Sequence, residues 1–503
     1  MTEPTTQPTT DARRAASQPM LWSSLEAVSL AAMSFVVLAM LARYLDADTF
    51  GRAAVALGVV QIACSFVESF FHNAVVQRKD LRPADVNAAH TAGLLLALAL
   101  TLAIGAYGWL TMSRQAAGAG VGSGLGVEIS TAALALWMAP SVLMSAASAM
   151  SIARLRRQLS MRPLALAMAG SRLVAGAAAL VALAQGAGAW AVVINQNLAA
   201  LALLVLLAAL RAPRAHLTRD LSGARRLAGY ASWNSASSLL GANMSRFFQV
   251  GCSVVLPAAV VGQVALALRV VEMLVAVLVT GVARVALSRL AAAAHEGRNV
   301  GALFVATTRR LCFVMMPVLV LMAVLAEPLV LFIGRAGWEQ AAGLVAAFAL
   351  AQAVRSPTFM ANTLFLGLGQ PRVALAVSLA ELASLALMTA VLQSPLAWVA
   401  RLAFVLPLML GLLHARFGIG LPVVLRAVGI PFTAALAMGA LLHSALSTLG
   451  PPSAAPFVSP FVSLVAGGLV GATIYAFVTA ALLGSERVTA AWRHVFQPAA
   501  GRS

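Results

Sequence analysis

The chain has 503 residues, of which 61% are apolar and only 10% are charged. Soluble globular domains average about 45–50% apolar and 25% charged residues, so this composition excludes that class. The formal net charge of +18 could suit nucleic acid, but the basic residues lie in short segments between long apolar runs. The chain is therefore predicted to be a polytopic membrane protein without a nucleic-acid partner.

Fourteen apolar segments follow one another along the chain, each long enough to cross the ~30 Å hydrocarbon core as a helix. They cover 22–42, 53–76, 88–110, 131–152, 164–184, 189–210, 228–252, 259–283, 304–333, 340–366, 373–392, 396–413, 423–446 and 458–483. Before them, residues 1–20 are polar and predicted to form a disordered cytoplasmic tail. The fold class predicted from this pattern is an all-α membrane protein with about 14 transmembrane helices.

The basic residues are distributed very unevenly between the two sides of this arrangement. Of the 34 Lys and Arg residues, 25 fall on the side of the two termini and five lie inside spans. The opposite side has only Arg43, Arg52, Arg114 and Arg335. Because short cytoplasmic loops carry an excess of Lys and Arg, both termini are predicted to be cytoplasmic.

A stretch near the start of the chain recurs 211 positions later. Gly51–Gln61 and Gly262–Glu272 are identical at six of eleven positions, and Arg78 and Arg289 share the same offset. This pattern predicts a tandem repeat of two halves in the same orientation. Such parallel repeats are one of the known plans of transporters, with the substrate site at the interface of the repeats.

The repeat divides the chain into predicted domains. Two six-helix bundles, residues 21–215 and 216–420, precede two additional transmembrane helices over 421–485 and a cytoplasmic tail over 486–503. No loop is long enough for a folded catalytic domain, and the sequence contains no ATPase motif, metal-ligand spacing or nucleophile elbow. We therefore predict no enzymatic activity, no cofactor and no metal site.

One predicted helix carries a polar stripe. Gln61, Ser65, Glu68 and His72 are spaced by 4, 3 and 4 residues, which places all four on one helical face. Such a face is predicted to look into a protein interior or a water-filled cavity and not into lipid. Glu68 and His72 form a protonatable pair that could couple transport to an ion gradient, although a structural hydrogen-bonded pair is the alternative. The other predicted ion-coupling residues are Glu26 and Glu272.

Five arginines lie inside predicted spans, where an ionised side chain costs roughly 2.5–3.5 kcal/mol on insertion scales. Guanidinium groups bind phosphate through paired hydrogen bonds and stay charged, so the pattern predicts a cationic chamber for an anionic substrate. The predicted substrate-binding residues are Arg246, Arg269, Arg355, Asn234 and Arg172.

Structural roles are the alternative for several of these side chains. Arg401, the fifth intramembrane arginine, could snorkel to the interface, and the polar groups of the seventh span could serve only helix packing. Arg269 could pair with Glu272, three residues further along the same helical face. Arg246 and Arg355 have no obvious local acidic partner.

Several short stretches resemble a known family. The first 100 residues carry Leu41–Leu45, Asp48–Gly51 and Val76–Leu81, and the second half carries weaker matches at Asn243–Arg246 and Gly262–Glu272. In this combination the chain resembles the polysaccharide transporter family, the bacterial oligosaccharide-lipid flippases within the multidrug and toxin extrusion-like superfamily.

The resemblance implies two six-helix bundles around a V-shaped central cavity in the bacterial inner membrane. A polyprenyl-diphosphate-linked oligosaccharide would cross by alternating access, for exopolysaccharide, capsule or O-antigen synthesis. The implied partners are this substrate, membrane lipids, and polysaccharide polymerase and export proteins.

The runner-up function is a cation-coupled small-molecule or drug antiporter of the same superfamily, although its cationic substrates would suit an acidic cavity better. A membrane glycosyltransferase or polymerase, and a non-transporting scaffold, are the remaining alternatives.

The charge asymmetry generates a prediction about topology. Reporter fusions placed after residues 120, 258 and 337 should report the outside, and fusions after residues 80, 157 and 218 should report the inside. If the fusions after residues 157 and 258 reported the same side, the arrangement of fourteen spans would be wrong.

Overall fold

The structure is a computed structural model that describes residues 32–77, 80–118, 130–295, 300–334, 337–449 and 458–483. Within these ranges the secondary structure is helical and contains no β-strand, which confirms the predicted all-α class. The predicted tails over residues 1–20 and 486–503, and the predicted ion-coupling residue Glu26, lie outside the described residues.

The described helices are numbered in chain order. They are α1 (Ala32–Tyr44), α2 (Ala47–Gln77), α3 (Pro83–Gly118), α4 (Thr131–Met138), α5 (Pro140–Arg157), α6 (Met161–Ala184), α7 (Trp190–Ala209), α8 (Ser222–Val255), α9 (Ala258–His295), α10 (Val300–Val324), α11 (Ala326–Ile333), α12 (Glu339–Arg355), α13 (Ala361–Gly367), α14 (Pro371–Leu392), α15 (Ala397–Ala400), α16 (Leu402–Phe417), α17 (Leu421–Leu449) and α18 (Val458–Leu483). Proline begins α3, α5 and α14, where its missing N–H and fixed φ do no harm.

Eleven of the described helical segments are long and apolar enough to cross a membrane, so the chain is a multi-pass membrane protein. The count of fourteen is not confirmed, and three predicted spans account for the difference. Only the second half of the first, α1, is described, and α8 falls short because polar residues interrupt its apolar runs. The tenth is broken by the 3₁₀ turn Ser356–Thr358 between α12 and α13.

The described chain forms two compact units. The first unit contains the described residues up to Leu45 together with Arg52–Val250, and the second contains Asp46–Gly51 together with the described residues from Gly251 onward. In the first unit α6 packs on α7, and α3 packs on α4 and α5. In the second unit α10 packs on α12 and α17, and α17 packs on α18.

Glycines allow several of these helices to approach closely. Gly176 of α6 lies against Met33 and Val37 of α1, and Gly439 of α17 lies against Val320 of α10. Because lipid tails are as apolar as leucine, helices in a bilayer associate through such close packing. Many large apolar side chains point outward instead, as expected for a lipid-facing surface. Examples are Leu102, Trp109, Leu469 and Phe477.

The first residues of the two repeat copies, Gly51 and Gly262, lie at a helix crossing in the second unit. Helices α2 and α9 begin at Ala47 and Ala258, which are separated by the same 211 positions as the repeat. A Cβ atom on Gly51 would overlap the carbonyl oxygen of Ala258, and one on Gly262 would overlap that of Ala47. These two contacts are reciprocal, so equivalent residues of the two copies occupy equivalent positions at one helix crossing.

This crossing predicts a strong effect of one methyl group. Gly51→Ala should lower the Tm of the purified protein, because backbone atoms cannot move aside and overpacking costs roughly 1–3 kcal/mol. Gly343→Ala in α12 is the matched control, since a Cβ atom there meets no atom within 4 Å. Thermal unfolding in detergent measures both, and equal Tm values for the two variants would contradict the proposed role of the crossing.

Candidate functional site

The predicted stripe of α2 lies within a network of polar side chains in the first unit. The Gln61 amide Nε2 donates to Gln196 Oε1 of α7 over 3.5 Å, and Gln196 Nε2 donates to Ser141 Oγ of α5 over 3.3 Å. Ser65 Oγ donates to Asn243 Oδ1 of α8 over 3.2 Å. The stripe therefore faces other helices of its own unit, as its polarity predicted.

Arg246 of α8 is held by two of these amides. Its Nε donates to Gln61 Oε1 over 2.8 Å, and one terminal nitrogen donates to Asn243 Oδ1 over 2.7 Å. The same nitrogen also donates to the Ala242 carbonyl over 3.2 Å. The acceptors in these three contacts are neutral oxygens, and together they orient the guanidinium group.

Glu68 is the carboxylate at the centre of this network. Its side chain is exposed, hydrogen-bonds to Ser145 of α5, and lies within electrostatic range of three arginines. These are Arg156 at the end of α5, Arg172 in the middle of α6 and Arg246 of α8. Arg172 is itself exposed, and its proximity to Glu68 places it on the polar side of α6. Three guanidinium groups thus lie within electrostatic range of one carboxylate.

His72 contacts Arg156, one of these three arginines. A terminal nitrogen of Arg156 lies 3.2 Å from His72 Nε2. A guanidinium group can only donate, so Nε2 is the acceptor and the imidazole is neutral with its proton on Nδ1. Protonation of His72 would remove this hydrogen bond and place two like charges next to each other.

A second group of charges lies in the second unit. Arg355 at the end of α12 donates from a terminal nitrogen to Glu381 Oε1 of α14 over 2.8 Å. The Glu381 side chain is only 7% exposed. Arg355 has no local acidic partner in the sequence, and the structure supplies one from another helix, 26 positions away.

Arg401 is buried between α15 and α16, with 2% of its surface exposed. Its Nε donates to the Trp398 carbonyl over 3.1 Å, and its guanidinium carbon lies 3.5 Å from the centre of the Trp398 ring. The snorkelling expected of Arg401 is therefore wrong, since the tryptophan face and nearby carboxylates stabilise the cation inside the protein. Glu381 and Glu272 supply that negative charge, and Arg355 is also within electrostatic range.

Arg269 and Glu272 of α9 are both half-buried. Within the part of the chain that the structure describes, no salt bridge joins them, so the suggested pair along the helix is not formed. Glu272 lies instead within electrostatic range of Arg401. Asn234, the remaining predicted substrate contact, belongs to α8, but its side chain lies outside the described part of the structure.

Three members of the first network were missed by the sequence analysis as site residues. Arg156 was counted with the loop residues because it ends its helix, and Gln196 stands in an otherwise apolar run. Asn243 precedes Arg246 by three positions, which is a helical spacing that could have indicated a shared face.

The fold is similar to those of several solved polytopic membrane proteins. The chain is similar to a structure titled "Lipid II flippase MurJ, inward closed conformation", with a TM-score of 0.70, 12% identity, and coverage of 93% of this chain and 100% of that chain. An inward-facing multidrug resistance MATE family transporter of the MOP superfamily gives a TM-score of 0.56 at 12% identity, covering 86% and 100% of the two chains. The eukaryotic MATE transporter AtDTX14 gives 0.55 at 14% identity, covering 83% and 99%.

The family model described as "Polysaccharide biosynthesis protein" matches residues 40–343, more than half of the chain. The chain belongs to this family, and the resemblance noted in its sequence is confirmed. Among curated protein sequences, none matches the chain.

The buried pair in the second unit yields a prediction about stability. Arg355→Ala should destabilise the protein by about 3–5 kcal/mol, because it leaves the Glu381 carboxylate without its partner. The double variant Arg355→Met with Glu381→Leu should recover most of that loss, since two apolar side chains of similar size remove both charges. Thermal unfolding of the wild type, of Arg355→Met, of Glu381→Leu and of the double variant measures this coupling. A double variant as unstable as the sum of the single variants would mean that the two side chains act independently.

Proposed function

We propose that the protein is a flippase that moves a polyprenyl-diphosphate-linked oligosaccharide across the bacterial inner membrane by alternating access. The observation that carries this proposal is the set of three arginines around Glu68 in the first unit. Membership of the polysaccharide biosynthesis family supports the glycan, and the similarity to lipid flippase and MATE structures supports a transporter fold.

The charges of the first-unit network match those of the proposed substrate. A diphosphate that joins a lipid to a sugar carries one ionised oxygen on each phosphate, so it presents two negative charges. Arg156, Arg172 and Arg246 lie within electrostatic range of Glu68, and this local positive charge would favour a diphosphate. Arg246 is already oriented by Gln61 and Asn243, so little side-chain freedom is lost on binding.

The second unit has a different part in this proposal. Arg355 is engaged with Glu381, so it could contact a phosphate only if that ion pair opened. Arg269 has no such partner among the described contacts and is the more available cation of the second unit. We propose Arg269, Arg355 and Asn234 as secondary substrate contacts, and Arg246 and Arg172 as primary ones.

Orientation and partners complete the proposal. The excess of basic residues on one side supports a location in the inner membrane with both termini in the cytoplasm. The lipid tail of the substrate would stay in the bilayer while its diphosphate and sugars pass through the protein. Polysaccharide polymerase and export proteins would receive the product on the outer side.

The role of Arg246 can be tested in cells that lack the native gene. Arg246→Ala should abolish glycan export, and Arg246→Lys should retain part of it, because lysine keeps the charge but loses the paired hydrogen bonds. Arg225→Ala is the matched control, since this exposed arginine lies on the same helix outside the network.

Glycan export and membrane-inserted protein are measured together, so that a loss of folding is not read as a loss of transport. Normal insertion of Arg246→Ala with export at the wild-type rate would contradict the proposed anion site.

Ion coupling is proposed for Glu68 and His72, with Glu26 and Glu272 as further candidates. Glu68 is exposed and hydrogen-bonded, and the neutral His72 one turn away contacts Arg156, so uptake of a proton by His72 would break that contact. Glu68→Gln and His72→Asn should each weaken the dependence of export on the proton gradient, measured with a protonophore titration. If both variants kept the wild-type dependence, these side chains would have a structural role only.

A further inference from the structure

A cavity of about 160 Å³ opens in the first unit, away from the network around Glu68. Its walls come from α3, α5, α7 and the segment that follows α7. The polar side chains that line it are His90, Ser151 and Arg214, and the apolar wall includes Leu204 and Leu207. Helix α3 begins at this end of the unit and helices α5 and α7 end here, so the cavity lies on the side of the basic loops.

The segment that closes the cavity is fixed by three hydrogen bonds. Arg154 of α5 donates from a terminal nitrogen to the carbonyl of Arg214 over 2.7 Å. The backbone N–H of His216 donates to Asn87 Oδ1, and that of Thr218 donates to Thr91 Oγ1, each over 3.0 Å. Both acceptors belong to α3, so the segment is tied to two helices and the cavity is already formed without a ligand.

Two of the lining side chains, His90 and Arg214, have polar atoms that can form further hydrogen bonds. The Nδ1 atom of His90 is buried and has no hydrogen-bond partner among the described residues. A buried polar atom of this kind costs free energy unless a ligand or water satisfies it. The exposed Arg214 guanidinium makes one long hydrogen bond, of 3.4 Å to the Ala208 carbonyl, and most of its N–H groups remain available.

We infer that this cavity binds the headgroup phosphate of an anionic phospholipid from the leaflet on the basic side. Arg214 would bind the phosphate, and His90 Nδ1 would form a hydrogen bond with the polar headgroup of the lipid. The leucines of α7 would contact the start of the acyl chains. Arg154, which contacts the backbone of the lining residue Arg214, adds positive charge, which favours an anionic lipid over a zwitterionic one. Cationic pockets between membrane helices on this side are known lipid headgroup sites.

The full-length protein, purified in detergent and stripped of lipid, provides the test. Phosphatidylglycerol, phosphatidylcholine and inorganic phosphate are added separately, and both the Tm and the lipids retained in native mass spectrometry are recorded. We expect phosphatidylglycerol to raise the Tm and one molecule to remain bound, with little effect of the other two. Protection by inorganic phosphate alone would identify a free-anion site, and equal protection by phosphatidylcholine would mean non-specific solvation; either result would overturn the proposal.

Two variants locate the binding within the cavity. Arg214→Ala should weaken phosphatidylglycerol binding about ten-fold or more, because a charge-assisted hydrogen bond is lost, while the backbone carbonyl that Arg154 contacts is kept. Ala147→Leu should fill the cavity and block binding while leaving the folded protein intact. Arg219→Ala, an exposed arginine that does not line the cavity, is the matched control. Unchanged binding in both cavity variants would show that the lipid binds elsewhere.

Discussion

The crossing of α2 and α9 is the constraint on which the arrangement of the second unit depends. Gly51 and Gly262 bring the two backbones so close that a single added Cβ atom would overlap a carbonyl oxygen of the other helix. Phe50 beside the crossing stacks edge-on against Trp338, with ring centres 5.3 Å apart. Helix α2 begins in the second unit and continues into the first, so the start of the helix that carries the polar stripe is fixed by this contact.

Much of the fold could be predicted because apolar length is a local property. A run of about 20 apolar residues forms a helix when it spans a lipid bilayer. The sequence repeat at an offset of 211 positions predicted that α2 and α9 begin at equivalent residues. Two predicted spans that the structure does not confirm have other local causes. Helix α8 carries three arginines and several amides that lower its hydropathy, and the 3₁₀ turn at Ser356–Thr358 follows from Pro357. Neither changes the helical class, but each changes the count of apolar spans.

The candidate site could be predicted only in part, because periodicity shows which face is polar but not what faces it. The stripe of α2 was found from its spacing, whereas the partners of Gln61 and Ser65 lie 185 and 178 positions away. Long-range pairing also explains Arg355, whose carboxylate comes from α14, and Arg401, whose cation lies against an aromatic ring. The spacing of residues along the sequence does not predict contacts between side chains so far apart in the chain.

The group of charged side chains around Arg401 and the group around Glu68 differ in their numbers of guanidinium and carboxylate groups. Around Arg401, two guanidinium groups face two carboxylates, so that group is close to neutral and stabilises its own helices. Around Glu68, three guanidinium groups lie within electrostatic range of one carboxylate; Arg246 is half-buried, and the other side chains are exposed. A persistent excess of charge in a membrane protein is costly unless a counter-ion or a ligand of opposite sign can reach it. We therefore propose the first network, in which three guanidinium groups lie within electrostatic range of one carboxylate, as the site that an anionic substrate would reach.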